Sequence, residues 1–176
     1  MLTWPLAALH EGGVDHVVVV LGARADEVAV GVLLSGAEGL RGQEELRVVR
    51  CVDWAEGLSA SLRAGVDAAA AGGADAVVIA LADQPLLHAG AVARVIAARG
   101  SAELDAIRAT YAGTPGHPTL LESSTFAAIA ALTGDTGARA ILDDPATRVR
   151  LVACDGLGRP DDADTPEALA RLEALS

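Results

Sequence analysis

An aspartate at the end of an apolar run is the first feature of this sequence that could carry chemistry. The stretch "ADAVVIALADQPLL" (residues 74–87) runs through apolar residues to Asp83, and a proline follows two positions later. The run predicts a strand that ends at the edge of a sheet, where open α/β proteins bind their ligands. A carboxylate at that edge suits a hard cation such as Mg²⁺.

A second acidic cluster lies in "RPDDADTPEAL" (159–169), just before a Thr-Pro-Glu helix start. Acidic residues favour the N-terminal end of a helix, so a purely structural explanation is strong for this segment. Alternate residues of an extended chain point the same way, so Asp162 and Asp164 can share a face. If Asp83 and Asp164 converge, they form an oxygen-ligand site for Mg²⁺, which typically takes one or two protein carboxylates.

Two further segments carry residues that could bind a ligand. The segment "DWAEGLSASLRAG" puts Gly57, Ser59 and Ser61 at a strand-to-helix turn. Its N–H groups and hydroxyls suit an anion or a base edge, and an ordinary capping turn explains them equally well. The segment "GTPGHP" (113–118) predicts a stiff, exposed loop around His117, of a kind that often carries binding groups.

Strand and helix patterns alternate along the whole chain. Strands are predicted at 15–22, 46–52, within 74–87, at 104–110 and at 148–154. Helices are predicted near 3–12, 24–34, 59–72, 88–99, 123–132, 136–143 and 165–175. The alternation predicts an α/β fold with a doubly wound, mostly parallel sheet and helices on both faces. No linker or repeat interrupts the pattern, so a single domain over residues 1–176 is expected.

Composition excludes several classes of protein. The formal net charge of the 176 residues is -11, and none of them is lysine, which argues against a nucleic-acid partner. The apolar runs are too short to cross a membrane, no signal peptide is visible, and Cys51 and Cys154 lack zinc or redox spacing; a cytoplasmic protein is expected. The dinucleotide fingerprint, the P-loop lysine and the G-x-S-x-G elbow are all missing.

Five strings together carry a family resemblance. In chain order they are "DWAEGLSASLRAG", "LADQPLL", "PGHPTLL", "GDTGARAIL" and "DADTPEAL". In order and spacing they resemble the MobA-like nucleotidyltransferases, most closely the molybdenum-cofactor cytidylyltransferase branch, over nearly the whole chain. The resemblance implies a nucleotide-diphospho-sugar transferase-like fold. It also implies Mg²⁺-dependent transfer of a nucleotidyl group from an NTP (CTP favoured, GTP the other candidate) to molybdopterin, with release of pyrophosphate.

The resemblance also assigns roles to individual positions. It implies that Asp83 and Asp164 are catalytic and bind the metal ion. It also implies that the neighbouring Asp162 is a further metal ligand. It implies that the strand-to-helix turn holds the nucleotide base: Gly57, Ser59 and Ser61. It implies that the later loop faces the pterin acceptor: Gly116, His117 and Pro118.

One part of the family pattern has no counterpart here. The family begins with a strand and a Gly-rich loop of the form L-A-A-G-x-S-x-R-x-G-x-x-K, whereas "MLTWPLAALHEGG" resembles the helix after that loop. We therefore expect an N-terminally incomplete or degenerate member that lacks the first strand, binds metal weakly, turns over NTP poorly or not at all and can self-associate. Two alternatives stay open. One is a catalytically impaired binding or chaperone protein in molybdoenzyme maturation, with a molybdoenzyme as partner. The other is a nucleotidyltransferase for another phosphorylated acceptor.

Overall fold

The computed structural model describes residues 2–29, 46–100 and 103–158. The strands within these ranges are β1 (Val17–Leu21), β2 (Leu46–Arg50), β3 (Ala76–Ile79), β4 (Ala106–Tyr111), β5 (Thr114–Glu122) and β6 (Val149–Ala153). The α-helices that lie wholly within these ranges are α1 (Thr3–Glu11), α2 (Leu58–Ala71), α3 (Ala89–Ala97), α4 (Phe126–Ala130) and α5 (Arg139–Leu142). Short 3-10 turns at Trp54–Glu56 and Ser123–Thr125 lead into α2 and α4.

The strands form two sheets. Strand β1 pairs in parallel with β2, and the second sheet has the order β3-β5-β4-β6. Strand β5 runs antiparallel to both of its neighbours, while β4 and β6 are parallel. The predicted α/β fold with parallel strands and covering helices is confirmed, with one reversed strand inside the larger sheet.

The segment 113–118 is not a loop, and this prediction was wrong. The chain reverses at Ala112 and Gly113, whose φ angles of 48° and 78° lie in the left-handed region, and β5 begins at the next residue. The pairing register of β4 shifts between Arg108 and Thr110, opposite this proline-containing start of β5. Residues 116–118 of β5 thus lie opposite the single residue Ala109, so ladder groups are locally unpaired and Pro118, which lacks an N–H, is accommodated there.

Several predictions concern residues outside the described ranges. They are the acidic cluster of 159–169, the helix at 165–175 and residues 30–34 of the helix predicted at 24–34, of which residues 25–29 are described and helical. Within the described part of the chain, β1 pairs with β2 alone and β3 with β5 alone. The expectation that the family's first strand is missing stays a prediction. No helix among the described residues is both long and apolar enough to span a membrane.

Apolar packing joins the two sheets. One buried cluster takes residues from α1, β1 and α3, and its largest members are Leu6, Leu9, Val17, Val19, Leu21, Leu87 and Val92. Strand β3 contributes Val78 to its border. Two further clusters cover opposite faces of the larger sheet, one under α3 and one under α2, α4 and α5. The described strands of the two sheets share no ladder, so burial of these side chains is what packs β1 and β3 against one cluster.

Ion pairs fasten the amino-terminal edge of the larger sheet. The carboxylate of Asp105 accepts hydrogen bonds from the backbone N–H of Arg148 at 3.0 Å, from its Nε at 2.9 Å and from the Ser124 hydroxyl at 2.8 Å. The Arg148 guanidinium holds the pKa of Asp105 well below its usual range. The entry to β4 is thereby tied to the entry to β6.

We predict that Asp105→Asn lowers the free energy of unfolding at neutral pH by about 1–2 kcal/mol, because charge-assisted hydrogen bonds are lost. A depressed carboxyl pKa contributes stability above the unfolded value near 3.9, and that stability is lost as pH falls. The variant should therefore lose less stability than the parent on acidification below about pH 4. Denaturant unfolding at several pH values measures this.

The control is Glu103→Gln, which removes an exposed partner of the same Arg148 guanidinium. It should stay within about 0.5 kcal/mol of the parent. Equal effects of the two substitutions would contradict a clamp made specifically by Asp105.

Candidate functional site

Asp83 lies in the turn just after β3, at the carboxyl end of the larger sheet. The residue is half-buried, and its Oδ1 atom is buried without a hydrogen-bond partner among the described residues. A buried carboxylate oxygen without a donor is costly, and a bound cation would compensate it. The donor type and the missing partner together fit Asp83 as a ligand for a divalent metal ion.

The other predicted metal ligands, Asp162 and Asp164, lie outside the described residues. Within the ranges that the structure describes, no group of three or more His, Cys, Asp or Glu side chains is placed to hold a metal. The predicted convergence of Asp83 with Asp164 therefore stays a prediction. Asp83 is the member of this set whose surroundings are described.

His117 lies beside the strand that leads to Asp83. Its Nδ1 atom is 3.2 Å from the backbone oxygen of Ile79, the last residue of β3. A carbonyl can only accept, so Nδ1 carries the proton in this contact. The Tyr111 hydroxyl donates to the backbone oxygen of His117 at 2.9 Å. These two hydrogen bonds fix the first part of β5 against β3 and β4.

The residues on either side of His117 are less exposed to solvent than the sequence predicted. Gly116 and Pro118 are buried, and the exposed positions are those of the turn and the first residues of β5, 112–115. The His117–Pro118 peptide bond is cis. Of the three residues predicted to face the acceptor, His117 has the partly exposed side chain. The acceptor-binding role of all three stays a prediction.

The start of α2 packs against a distant glycine turn. Gly57 has φ 117° and ψ -173°, and a Cβ at this position would lie 2.5 Å from the backbone carbon of Gly134. The backbone oxygen of Gly134 accepts from Ser59 twice, from its N–H at 3.2 Å and its hydroxyl at 2.7 Å. The N–H of Leu58 donates to Asp135 Oδ1 at 3.3 Å. The strings "DWAEGLSASLRAG" and "GDTGARAIL" of the family resemblance are thus in direct contact in the structure.

These contacts bear on the residues predicted to hold a nucleotide base. Ser59 is fully buried and its hydroxyl proton is used within the protein, while Ser61 is half-buried on the same helix. Arg63 reinforces the turn by pairing with Glu56 at 2.9 Å and donating to the backbone oxygen of Leu132. Ser59 and Gly57 therefore have a structural role, since both contact the glycine turn at Gly134. Their nucleotide-binding role stays a prediction.

Two residues near this edge were not identified from the sequence. Tyr111 positions His117 through its hydroxyl, and Arg108 extends its Nε to within 3.4 Å of the backbone oxygen of Gly116. The available signal was a charged residue inside the otherwise apolar strand pattern of 104–110. Burial raises the pKa of Tyr111 to about 12, and the neighbouring Cys154 adds to the effect.

Comparison with known proteins gives three kinds of match. A family model described as the MobA-like NTP transferase domain matches residues 1–151. The nicotine blue oxidoreductase of Paenarthrobacter nicotinovorans is 31% identical over 167 residues, which cover 92% of this chain and 76% of the relative.

Three of the solved structures that match are mycobacterial. Rv0371c of Mycobacterium tuberculosis H37Rv is 27% identical with a TM-score of 0.73, covering 97% of this chain and 83% of that chain. Its complex with manganese has a TM-score of 0.68, 27% identity and coverage of 97% and 84%. An Rv0371c homologue from Mycobacterium sp. strain JC1 is 29% identical with a TM-score of 0.67, covering 99% and 82%.

We predict that Gly57→Ala destabilises the fold by more than about 2 kcal/mol, because a side chain would combine a strained backbone with a clash against Gly134. The matched control is Gly73→Ala. Gly73 also has a positive φ, of 86°, but its Cβ would meet nothing within 4 Å. The control should cost only the backbone term of about 1–2 kcal/mol. Similar losses in denaturant unfolding for both variants would argue against the tight packing of α2 on the glycine turn.

A second prediction concerns Tyr111, the single tyrosine of the chain. Its ultraviolet absorbance should show ionisation near pH 12 in the folded protein, because burial raises its pKa to about 12. The unfolded chain ionises near pH 10, so folding stability should fall as pH rises from about 10 to about 12. Tyr111→Phe should remove this part of the alkaline loss. A folded-state midpoint near 10 would show that the phenol is not buried as described.

Proposed function

Because the chain belongs to the MobA-like NTP transferase domain family, we propose that it moves a cytidylyl group from CTP to a molybdopterin-type acceptor. Family membership by itself supports a nucleotidyltransferase that uses an NTP and a divalent metal and acts on small molecules. The observation that carries the proposal is the buried, unpartnered Oδ1 of Asp83 at the carboxyl end of β3. His117 lies beside the same strand end.

The proposed reaction is an in-line displacement at phosphorus. A phosphate oxygen of the acceptor forms a bond to the α-phosphorus of CTP, while the bond from that phosphorus to the bridging oxygen of pyrophosphate breaks. Such chemistry depends on positioning and charge compensation more than on a protein nucleophile. In this proposal the carboxylates of Asp83, Asp162 and Asp164 are the ligands of Mg²⁺. The bound ion would offset the negative charge of the phosphates.

Each side of the site has its proposed residues. On the nucleotide side we assign the turn of Gly57, Ser59 and Ser61, next to the half-exposed Trp54, whose aromatic face is suited to a flat ring. The acceptor side consists of Gly116, His117 and Pro118. The described contacts of Gly57 and Ser59 suggest that they act by shaping the backbone of the turn.

We extend the proposal to the setting of the reaction. A single domain over residues 1–176 carries it, the cytoplasm is its location and a molybdoenzyme receives the product. These statements rest on the sequence resemblance, and the matched manganese complex of Rv0371c supports only the use of a divalent ion.

The relative named nicotine blue oxidoreductase favours a second candidate function. A chain with this fold and no lysine to neutralise triphosphate could instead carry out a redox reaction like the one in that name. The two candidates differ in their co-substrates. Consumption of nicotine blue with a supplied reductant, at a rate unaffected by CTP, would favour the oxidoreductase.

The direct test is release of pyrophosphate by the purified chain with CTP, GTP or ATP, with and without molybdopterin. We expect slow release that requires a divalent metal, requires the acceptor and is fastest with CTP. Binding of molybdopterin without release would favour the binding or chaperone alternative. Release only with a different phosphorylated acceptor would replace molybdopterin in the proposal.

We predict that Asp83→Asn weakens Mn²⁺ or Mg²⁺ binding by at least about tenfold in the absence of nucleotide, because a charged ligand is lost. Without metal, the variant should be at least as stable as the parent, since an unpartnered buried carboxylate oxygen is removed. Isothermal titration and thermal unfolding measure the two effects. The control is Asp67→Asn on the exposed face of α2. Unchanged metal affinity in Asp83→Asn would exclude Asp83 as a ligand.

A further inference from the structure

Arg108 occupies an unusual position for a charged residue. It lies inside β4, opposite Thr119 of β5, on the face of the sheet covered by α4 and α5. The residue is half-buried, and the register of β4 shifts directly after it. Residues 116–118 of β5 lie opposite the single residue Ala109 of β4, and the Nε of Arg108 turns towards the backbone oxygen of Gly116 in this irregular stretch.

The hydrogen bonding of Arg108 is incomplete. Its contact with Gly116 is 3.4 Å long and uses Nε, and neither terminal nitrogen has a partner among the described residues. Every other arginine within the described ranges donates at least one hydrogen bond of 3.2 Å or less. Guanidinium carries five donors in a fork, so the half that points away from Nε is left to bind an oxyanion.

The charge of Arg108 is also poorly compensated. The carboxylate that attracts it is Asp143, but Asp143 Oδ2 already accepts from Arg139 Nε at 3.2 Å, and Arg139 repels Arg108. Burial lowers the pKa of the Arg108 guanidinium, although the group remains protonated at any working pH. Two guanidinium groups therefore share one carboxylate in a protein whose net charge is -11.

We propose that Arg108 binds the phosphate group of the small-molecule acceptor beside Gly116 and His117 of β5. The terminal nitrogens of the guanidinium donate to two phosphate oxygens in a bidentate pair, while Nε keeps its contact with Gly116. The ligand class is a phosphate monoester. The inference rests on the proposed acceptor role of Gly116 and His117, and it makes Arg108 a residue that selects for phosphorylated acceptors.

The experiment measures binding of inorganic phosphate to the purified chain by isothermal titration, at constant ionic strength and without nucleotide or metal. The variants are Arg108→Gln, which removes the charge, and Arg108→Lys, which keeps the charge but loses the fork. The matched control is Arg150→Gln on the neighbouring strand β6, where the arginine donates to the backbone oxygen of Ala98 at 2.6 Å. Acetate replaces phosphate in a parallel titration.

We expect Arg108→Gln to weaken phosphate binding by at least about tenfold, and Arg108→Lys by less, because charge-assisted bidentate bonds are lost in the first and only the geometry in the second. Arg150→Gln should bind phosphate like the parent, and acetate should bind more weakly than phosphate. Thermal unfolding of all variants in phosphate-free buffer separates folding losses from binding losses.

The proposal is overturned if the parent binds no phosphate, if Arg108→Gln binds it as well as the parent, or if acetate binds as tightly as phosphate. A lowered melting temperature in Arg108→Gln with its phosphate dependence intact would show a purely structural role. Because no NTP is present, failure of nucleotidyl transfer leaves this result untouched. Conversely, the chain could transfer the nucleotidyl group to molybdopterin while Arg108→Gln leaves its phosphate affinity unchanged. That result would reject this inference and retain the proposed function.

Discussion

Strand β5 is hydrogen-bonded along both of its edges, and the arrangement of the described site residues depends on this constraint. Its antiparallel course between β3 and β4 brings His117 to the end of β3 and the oxygen of Gly116 to Arg108. A shift of this strand by one residue would break its hydrogen bonds to both neighbours and would exchange Leu120 and Leu121 between two buried faces. The acceptor side of the proposed site is therefore built on a rigid element.

Towards the carboxyl end of the larger sheet lie one acidic and one basic side chain, and neither has hydrogen-bond partners for all of its polar atoms. Asp83 has a buried oxygen without a donor, and Arg108 has terminal nitrogens without an acceptor among the described residues. By contrast, Asp105 and Arg148 at the opposite edge satisfy each other in a dense network. Folding stability explains the paired edge, whereas incomplete pairing at the carboxyl edge is typical of a site that meets charged ligands.

The matched relatives show that the fold alone does not determine the activity. One matched relative is named an oxidoreductase, although the family model describes NTP transferases. A shared fold hosts different chemistries, so the activity of this chain must be argued from its side chains. The sequence has no lysine to supply the cationic side of a triphosphate site, while the buried, unpartnered Oδ1 of Asp83 fits the proposed metal side.

The sequence by itself determined the alternation of strands and helices and the place of Asp83 at a strand end, because apolar periodicity and terminating residues act locally. It did not identify β5 as a strand, since the Pro and Gly of 113–118 indicate a loop, and the extra residues that β5 carries opposite β4 are not visible in the sequence. Nor did it show that Gly57 packs on Gly134 or that the terminal nitrogens of Arg108 have no partner among the described residues. Those features depend on contacts between residues far apart in the chain, and only the tertiary structure decides them.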